Sequence, residues 1–303
     1  MSSLTTKPRT ELTRWQQFWQ SKRNQQRVTL VVKYVLALFI LAFSLIPVIY
    51  TVSSAFNPVQ APSSKIIPDN ATLANFREIL TERPFTLWLW NTTKIATIAS
   101  IFSAMITTLT AFAFSRYRFA GRGKLLLAIL IIQVFPVLMA MVALFTLLDQ
   151  LGGCCIPWLG LNTHNGLIMI YTGGAMGINI WLMKGFFDSI PRDIDESGMI
   201  DGASDWQRFW QLIFPLARPI VVVIAILTFF FVYSDWILPT IMLRSSDQYT
   251  LMVGLQLLIS NEYDNAWSVF SAGAVLGSLL PVAIYILLRD QIVGGLTSGS
   301  VKG

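Results

Sequence analysis

The sequence predicts an all-α integral membrane protein with six transmembrane helices and short cytoplasmic helices between the fourth and the fifth. Hydrophobic residues make up 54% of the 303-residue chain and charged residues only 13%, about half the charged share of an ordinary soluble domain. The apolar residues also gather in blocks long enough to cross a bilayer. The uneven distribution of Lys and Arg between these blocks is the third observation, and it orients the helices.

Six apolar blocks follow one another along the chain. They span residues 29–52, 87–114, 124–148, 165–187, 219–243 and 267–289. Several contain Pro, Gly, Ser or Thr, which neighbouring helices in a membrane bundle can accommodate. The second block carries small residues every three or four positions from Thr93 to Ala111. Such a stripe favours close helix packing in lipid, and a hydroxyl-lined solute path is the alternative.

The basic residues predict which ends of the helices face the cytoplasm. Most of the 22 Lys and Arg residues lie in the two tails, between blocks two and three, and between blocks four and five. The remaining connections between blocks, which are predicted to face the outside, contain Lys65, Arg77, Arg83 and Arg244. Because Lys and Arg accumulate on the cytoplasmic side, both termini are predicted to be cytoplasmic. This spread also accounts for the net charge of +6 without a nucleic-acid-binding patch.

The chain is therefore divided into three parts. These are a basic cytoplasmic N-terminal tail (1–28), a six-helix transmembrane domain (29–290) with a cytoplasmic loop (188–218) and an external loop (244–266), and a cytoplasmic C-terminal tail (291–303). No cleavable signal peptide is expected, because the first 27 residues are polar and the first apolar block is longer than an h-region.

Few residues within the blocks suggest chemistry of their own. Lys94 lies close enough to a helix end for its stem to reach the interface, and Asp235 lies near one end of the fifth block. A proton-driven carrier would usually place carboxylates deeper in several helices. Adjacent Cys154 and Cys155 are not expected to form a disulfide framework. With one histidine, His164, nearby, they are too few for a predicted metal site.

The polar segment 191–215 is the most informative part of the sequence. Pro191 suits a first helical turn, and the acidic residues that follow complement the positive end of the helix dipole. Gly202 is predicted to end this helix, because Gly readily adopts the left-handed conformation. Ser204 and Gln207 form a capping box for a second short helix. The apolar face of that helix consists of Trp206, Phe209, Trp210 and Ile213.

This pattern predicts a helix–Gly turn–helix unit with an aromatic face for contact with a membrane or a protein. Spacing alone leaves two interpretations open. The segment is either an amphipathic connector on the inner leaflet or a docking element for a soluble partner.

The segment resembles the Glu-Ala-Ala loop of binding-protein-dependent ABC importer permeases. Glu196, Gly202 and Pro215 stand at the spacing of that motif. The two alanines of the family are Ser197 and Gly198 here, and its Ile-x-Leu-Pro ending reads LIFP. In that family the loop forms short coupling helices that insert into a cleft of the ATPase subunit.

Four stretches resemble the smaller permease subunits of maltose/maltodextrin importers. They are LWLWNTTK (87–94), LNTHNGLI (161–168), LRSSDQYTLMVGLQ (243–256) and GLTSGSVKG (295–303). The resemblance implies an ATP-driven importer of maltose/maltodextrin-type oligosaccharides in the inner (cytoplasmic) membrane. This chain would form half of a heterodimeric pore with a larger permease, two ATPase subunits and an extracytoplasmic sugar-binding protein. The main membrane sugar site would belong to the larger permease, so no sugar-binding residue is assigned here.

The chain lacks a G-x-x-x-x-G-K-[ST] motif, so it is predicted to be a non-catalytic subunit without a cofactor or metal of its own. ATP and Mg would be bound by the ATPase subunits. The alternative function is an ATP-independent channel or membrane scaffold that recruits a cytosolic partner through the same segment. A self-sufficient secondary transporter is disfavoured, since no internal inverted repeat is evident.

The resemblance implies three sets of contact residues. Those expected to contact or shape the ATPase dock are Glu196, Ser197, Gly198, Asp201, Gly202, Ala203 and Pro215. Those expected to reach the ATPase dimer from the C-terminal tail are Ser298, Gly299, Ser300, Val301, Lys302 and Gly303. Those expected to contact the binding protein are Asn261, Glu262, Tyr263 and Asp264. We expect Gly202→Asp to leave the protein inserted but uncouple transport, because a side chain would obstruct the close turn.

Overall fold

The computed structural model describes residues 22–61, 65–260 and 265–298, and the regular secondary structure in these ranges is helical. In chain order the helices are α1 (Lys22–Ala55), α2 (Ala74–Thr81), α3 (Phe85–Arg116), α4 (Arg122–Val134), α5 (Val137–Cys154), α6 (His164–Ser189), α7 (Asp193–Ile200), α8 (Asp205–Gln207), α9 (Phe214–Ser234), α10 (Ile237–Met242), α11 (Leu251–Leu257) and α12 (Trp267–Ser298). A single 3₁₀ turn covers Pro157–Leu159, and a π-helical segment, Arg208–Ile213, joins α8 to α9. Helix α12 continues to Ser298, so the first residues of the predicted C-terminal tail are helical.

Within the described residues, five helices are long and apolar enough to cross a membrane. They are α1, α3, α6, α12 and the continuous helix from α8 through α9. Helices α4 and α5 bend by 104° at their junction and give a sixth span if they are counted together. The fold class predicted from the sequence is confirmed, with its third span broken.

The break between α4 and α5 lies at Pro136. Proline has no N–H to donate, and its ring disfavours the helical conformation at the preceding residue. Phe135 is accordingly extended, with φ −68° and ψ 127°. Helix α4 therefore ends at Val134, and the chain becomes helical again at Val137. An uninterrupted third helix over 124–148 is not what the structure contains.

The fifth apolar block is also interrupted, near Asp235. This residue is extended at the end of α9 (ψ 131°). Its Oδ1 accepts a hydrogen bond from the Ile237 N–H at 3.0 Å, and its Oδ2 accepts one from the Tyr171 hydroxyl at 2.8 Å. Asp235 thus ends α9 and ties it to α6, which is a structural role.

Helix α3 occupies the centre of the bundle and packs against α6 and α9 along its length. Most of the small-residue stripe between Thr93 and Ala111 is buried there, although Thr97 is exposed. This burial favours the packing interpretation of the stripe. Helix α1 instead lies at the periphery, where it packs against α12. None of its most apolar stretch is buried within the described part of the chain.

Polar side chains hold the chain together where α3 and α6 begin. The Asn91 amide donates to the carbonyls of Asp247 (2.9 Å) and Tyr249 (3.0 Å). Asn162 Oδ1 accepts from the N–H groups of Arg244 (2.9 Å) and Ser245 (3.0 Å). This part of the bundle is called the 244–249 end, and the opposite part, where α3 and α6 finish, the α7 end.

Cys154 and Cys155, at the end of α5, form an adjacent disulfide pair in the structure. The pair spans a single peptide bond and joins no separate segments.

Candidate functional site

Helix α7 ends in the glycine turn predicted from the sequence. Gly202 has a φ of +78°, in the left-handed region. Its N–H donates to the Met199 carbonyl at 3.1 Å, and the Ala203 N–H donates to the Gly198 carbonyl at 2.9 Å. These two bonds form a Schellman motif, which satisfies carbonyls left without partners at a helix end. These hydrogen bonds fix the conformation of the turn, and with it the direction in which the chain leaves α7.

The predicted capping box begins the next helix. The Gln207 N–H donates to Ser204 Oγ at 3.3 Å, and the Ser204 N–H donates to Gln207 Oε1 at 2.8 Å. This helix does not end before the membrane span, so the expectation of a separate second short helix is wrong. Because Pro215 cannot donate a backbone hydrogen bond, the chain widens into the π segment and continues into α9.

The predicted aromatic face is mostly internal. Phe209 and Ile213 are buried, and the Phe209 ring centroid lies 5.0 Å from that of Phe112 on α3. Phe209 and Ile213 belong to a buried apolar cluster that includes Met183 and Phe187 of α6. Only Trp206 stands out, with 62% of its surface exposed. The face therefore holds the segment to the bundle, and most of it is unavailable to a partner.

A different surface of the 191–215 segment is open. Ile200 is 86% exposed, and Met199 is also largely exposed beside it. We define the dock surface as the exposed residues Glu196, Ser197, Met199, Ile200, Asp201, Gly202 and Trp206. Exposed apolar side chains rimmed by polar ones are typical of protein contact sites. Met199 and Ile200 were not among the predicted residues, and their only sequence signal is two large apolar residues within a polar loop.

Gly198 and Pro215 shape the dock surface without forming its exposed face. Gly198 is buried, and a Cβ there would lie 2.6 Å from Leu212 Cδ1 and 3.3 Å from Arg208 Cγ. The small residue therefore allows α7 to lie directly against the π segment. Pro215 stands in the first turn of α9. Ala203 is partly buried in the glycine turn.

The end of α3 holds both α6 and α7. The Ser115 hydroxyl donates to Asp188 Oδ1 of α6 at 2.6 Å. Arg116 Nε lies 2.8 Å from Asp195 Oδ2 of α7, with the two side chains only 7% and 6% exposed. Arg116 Nη2 also donates to the Ile190 carbonyl at 3.1 Å. In the sequence, Asp195 is one of the acidic residues that complement the helix dipole, and Arg116 is one of the basic residues predicted to face the cytoplasm. Neither pattern predicts that the two residues pair.

The residue after this helix contacts the following element. Burial, and next the interaction with the Asp205 carboxylate of α8, raise the pKa of Tyr117 above its ordinary value. The hydroxyl therefore remains protonated. Asp205 also pairs with Arg208 in the π segment.

The two other predicted contact sets lie almost wholly outside the described residues. Ser298 is the last residue of α12, and Gly299, Ser300, Val301, Lys302 and Gly303 lie outside the described ranges. The same is true of Asn261, Glu262, Tyr263 and Asp264. The described residues on either side of this second set are joined by a hydrogen bond, which the Ala266 N–H donates to the Leu258 carbonyl at 2.8 Å.

A bundle of apolar helices with a structured, partly apolar segment at one end is typical of a multi-pass membrane protein. Residues 103–296 match the family described as binding-protein-dependent transport system inner membrane component, and the chain belongs to this family. Its members are transport components of the inner membrane. The resemblance seen in the sequence motifs is thereby confirmed.

Individual relatives cover nearly the whole chain. The maltose/maltodextrin transport system permease protein MalG of Vibrio parahaemolyticus is 37% identical over 276 residues, which are 87% of this chain and 92% of the relative. MalG of Escherichia coli K12 is 34% identical over 291 residues, or 92% and 97% of the two chains. A chain in the crystal structure of a bacterial ABC transporter involved in alginate import has the same fold. Its TM-score is 0.72 at 23% identity, over 89% of this chain and 98% of that one.

Proposed function

We propose that this chain is a permease subunit of an ATP-driven importer of maltose/maltodextrin-type oligosaccharides. The observation that carries this proposal is the relationship to maltose/maltodextrin permeases, which extends over at least 92% of the two relatives described above. A larger permease would complete the pore, two ATPase subunits would hydrolyse ATP, and an extracytoplasmic binding protein would deliver the sugar. The chain itself would supply half of the membrane path and the connection to the ATPase.

The dock surface is the part of this chain that would meet the ATPase. It exposes two large apolar side chains, Ile200 and Trp206, and also the acidic residue Glu196. The glycine turn and the π segment hold these groups on short, hydrogen-bonded elements. A rigid apolar tip loses little conformational entropy when it enters a cleft, which favours docking.

The course of α12 supports the roles proposed for the two remaining contact sets. Helix α12 runs away from the 244–249 end, so Ser298 and the tail to Gly303 would extend toward the ATPase at the α7 end. Residues 261–264 lie in the connection between α11 and α12, and would meet the binding protein at the opposite end. This arrangement requires both termini to be cytoplasmic, as the distribution of Lys and Arg predicts.

The first test is affinity purification of the chain from its native membrane in mild detergent, with identification of co-purifying proteins and an ATPase assay. We expect recovery of a second permease and an ATPase, and a lower ATPase yield from Gly202→Asp. Recovery of the chain alone, under conditions that preserve known complexes, would contradict the proposal. Oligosaccharide uptake that persists after ATP depletion would favour the channel or scaffold alternative.

A further inference from the structure

Two consecutive side chains at the end of α3 each bind a carboxylate from a different helix. Ser115 donates to Asp188 of α6, and Arg116 pairs with Asp195 of α7. Successive residues of a helix point in different directions, about 100° apart. The end of α3 therefore holds both the helix that leads into the 191–215 segment and the first helix within that segment.

The Arg116 contact is the more deeply buried of the two. Arg116 and Asp195 are both more than nine-tenths buried, at 7% and 6% exposure. Separating a buried ion pair leaves each charge without a partner and without water, which is strongly unfavourable. By contrast, the side chain of Asp188 is 42% exposed, so water can replace its partner.

We propose that Arg116 is a positioning residue for energy coupling, because its buried ion pair with Asp195 makes the end of α3 follow any displacement of α7. The proposal rests on the proposed function, in which an ATPase moves the dock surface. Helix α3 is the central helix and packs against α6 and α9. A displacement of the end of α3 is therefore transmitted to α6 and α9, the two helices that pack against it.

The competing explanation is that the pair only stabilises the fold. A purely structural contact would affect assembly and thermal stability, and leave the amount of sugar moved per ATP unchanged. A coupling contact changes that ratio in complexes that are correctly assembled. The ratio is therefore the measurement that separates the two roles.

The experiment uses the full transporter reconstituted in proteoliposomes with its binding protein, and measures maltodextrin transported per ATP hydrolysed. Arg116→Gln and Asp195→Asn are expected to lower this ratio about fivefold or more, the lower range of typical coupling between sites. The exchanged pair, Arg116→Asp with Asp195→Arg, is expected to recover most of it. Arg118→Gln and Asp193→Asn are matched controls, because both residues are exposed neighbours.

A wild-type ratio in assembled Arg116→Gln or Asp195→Asn would overturn the proposal, as would an exchanged pair no better than the single variants. If the single variants fail to assemble, Asp195→Glu decides, since it keeps the charge and alters the reach. A lowered ratio then supports the proposal, and a wild-type ratio overturns it. Failure of the proposed function is seen separately, as wild-type complexes without an ATPase or with uptake that needs no ATP.

Discussion

Gly202 shows how a single residue determines the direction of the 191–215 segment. Its φ of +78° lies where a residue with a Cβ is disfavoured, by about 1–2 kcal/mol for most side chains. Among the described residues, no atom other than those of Gly202 and its two chain neighbours lies within 4 Å of the position a Cβ would take. The obstruction expected for Gly202→Asp is therefore not found within the described part of the chain, and under the proposed function it would come from a docked partner.

Gly121 provides a matched control for this residue. It has a φ of +84°, open space around its Cβ position and a place before α4, outside the dock surface. We expect Gly202→Asp to lower oligosaccharide uptake about tenfold, equivalent to about 1.4 kcal/mol, and Gly121→Asp to change it little. Both substitutions place a side chain at a positive φ. The measurement is the uptake rate, normalised to the amount of membrane-inserted protein. An equal loss of uptake in the two variants would refute the docking role of Gly202.

Asn91, Asn162 and His164 give a physical meaning to the sequence motifs. Each lies in one of two separate stretches that resemble maltose/maltodextrin permeases, and each binds the backbone of a third, the 243–256 stretch. The amide of Asn91 is buried and supplies donors that the backbone there would otherwise lack. Residues of three of these stretches thus meet in one hydrogen-bonded cluster at the 244–249 end.

At the scale of elements, α11 packs against α3 with no space for a side chain. A Cβ at Gly254 would lie 2.2 Å from the ring atoms of Trp88, which is buried. An aromatic ring is rigid, so it cannot bend away as a long aliphatic side chain does. Gly254 is therefore required for the contact between these two helices.

Gly254→Ala is expected to destabilise the protein by about 1–3 kcal/mol through overpacking. Adding Trp88→Leu should recover part of this loss, because it removes the ring that meets the new methyl group. Gly153→Ala is the control, since Gly153 is an exposed helical position with open space around it. The midpoint of thermal unfolding in detergent is measured for the wild type, for the single variants Gly254→Ala, Trp88→Leu and Gly153→Ala, and for the double variant. Strictly additive effects of Gly254→Ala and Trp88→Leu would contradict the proposed contact.

Proline shows why elements cannot be delimited from composition alone. Pro47, Pro219 and Pro281 lie inside continuous helices, whereas Pro136 separates α4 from α5. In a bundle, neighbouring helices can satisfy the carbonyl that proline leaves free. Whether a given proline breaks a span depends on those neighbours, and the local sequence does not contain them.

The orientation of the whole molecule across the membrane can be tested directly. Ile200 is 86% exposed at the α7 end, and Ile67 is 77% exposed in the connection between α1 and α2. The chain contains only two cysteines, so replacing both with Ser provides a background for single reporters. In spheroplasts, a membrane-impermeant maleimide is expected to label Ile67→Cys at once. It should label Ile200→Cys only after permeabilisation, and the reverse pattern would contradict cytoplasmic termini.

The sequence by itself determined the features whose causes lie within a few residues or in composition. The apolar blocks, the glycine turn at Gly202 and the capping box of Ser204 and Gln207 are of this kind. Each depends on hydrophobicity or on hydrogen bonds between near neighbours, so the pattern is visible in the chain.

Only the tertiary structure decided which surfaces meet. It buried Phe209 against Phe112, left Ile200 exposed, and paired Arg116 with Asp195. These outcomes depend on how helices distant in sequence approach one another. An amphipathic pattern states that a face is apolar, and the packing of the bundle determines whether that face meets another helix, the lipid or a partner.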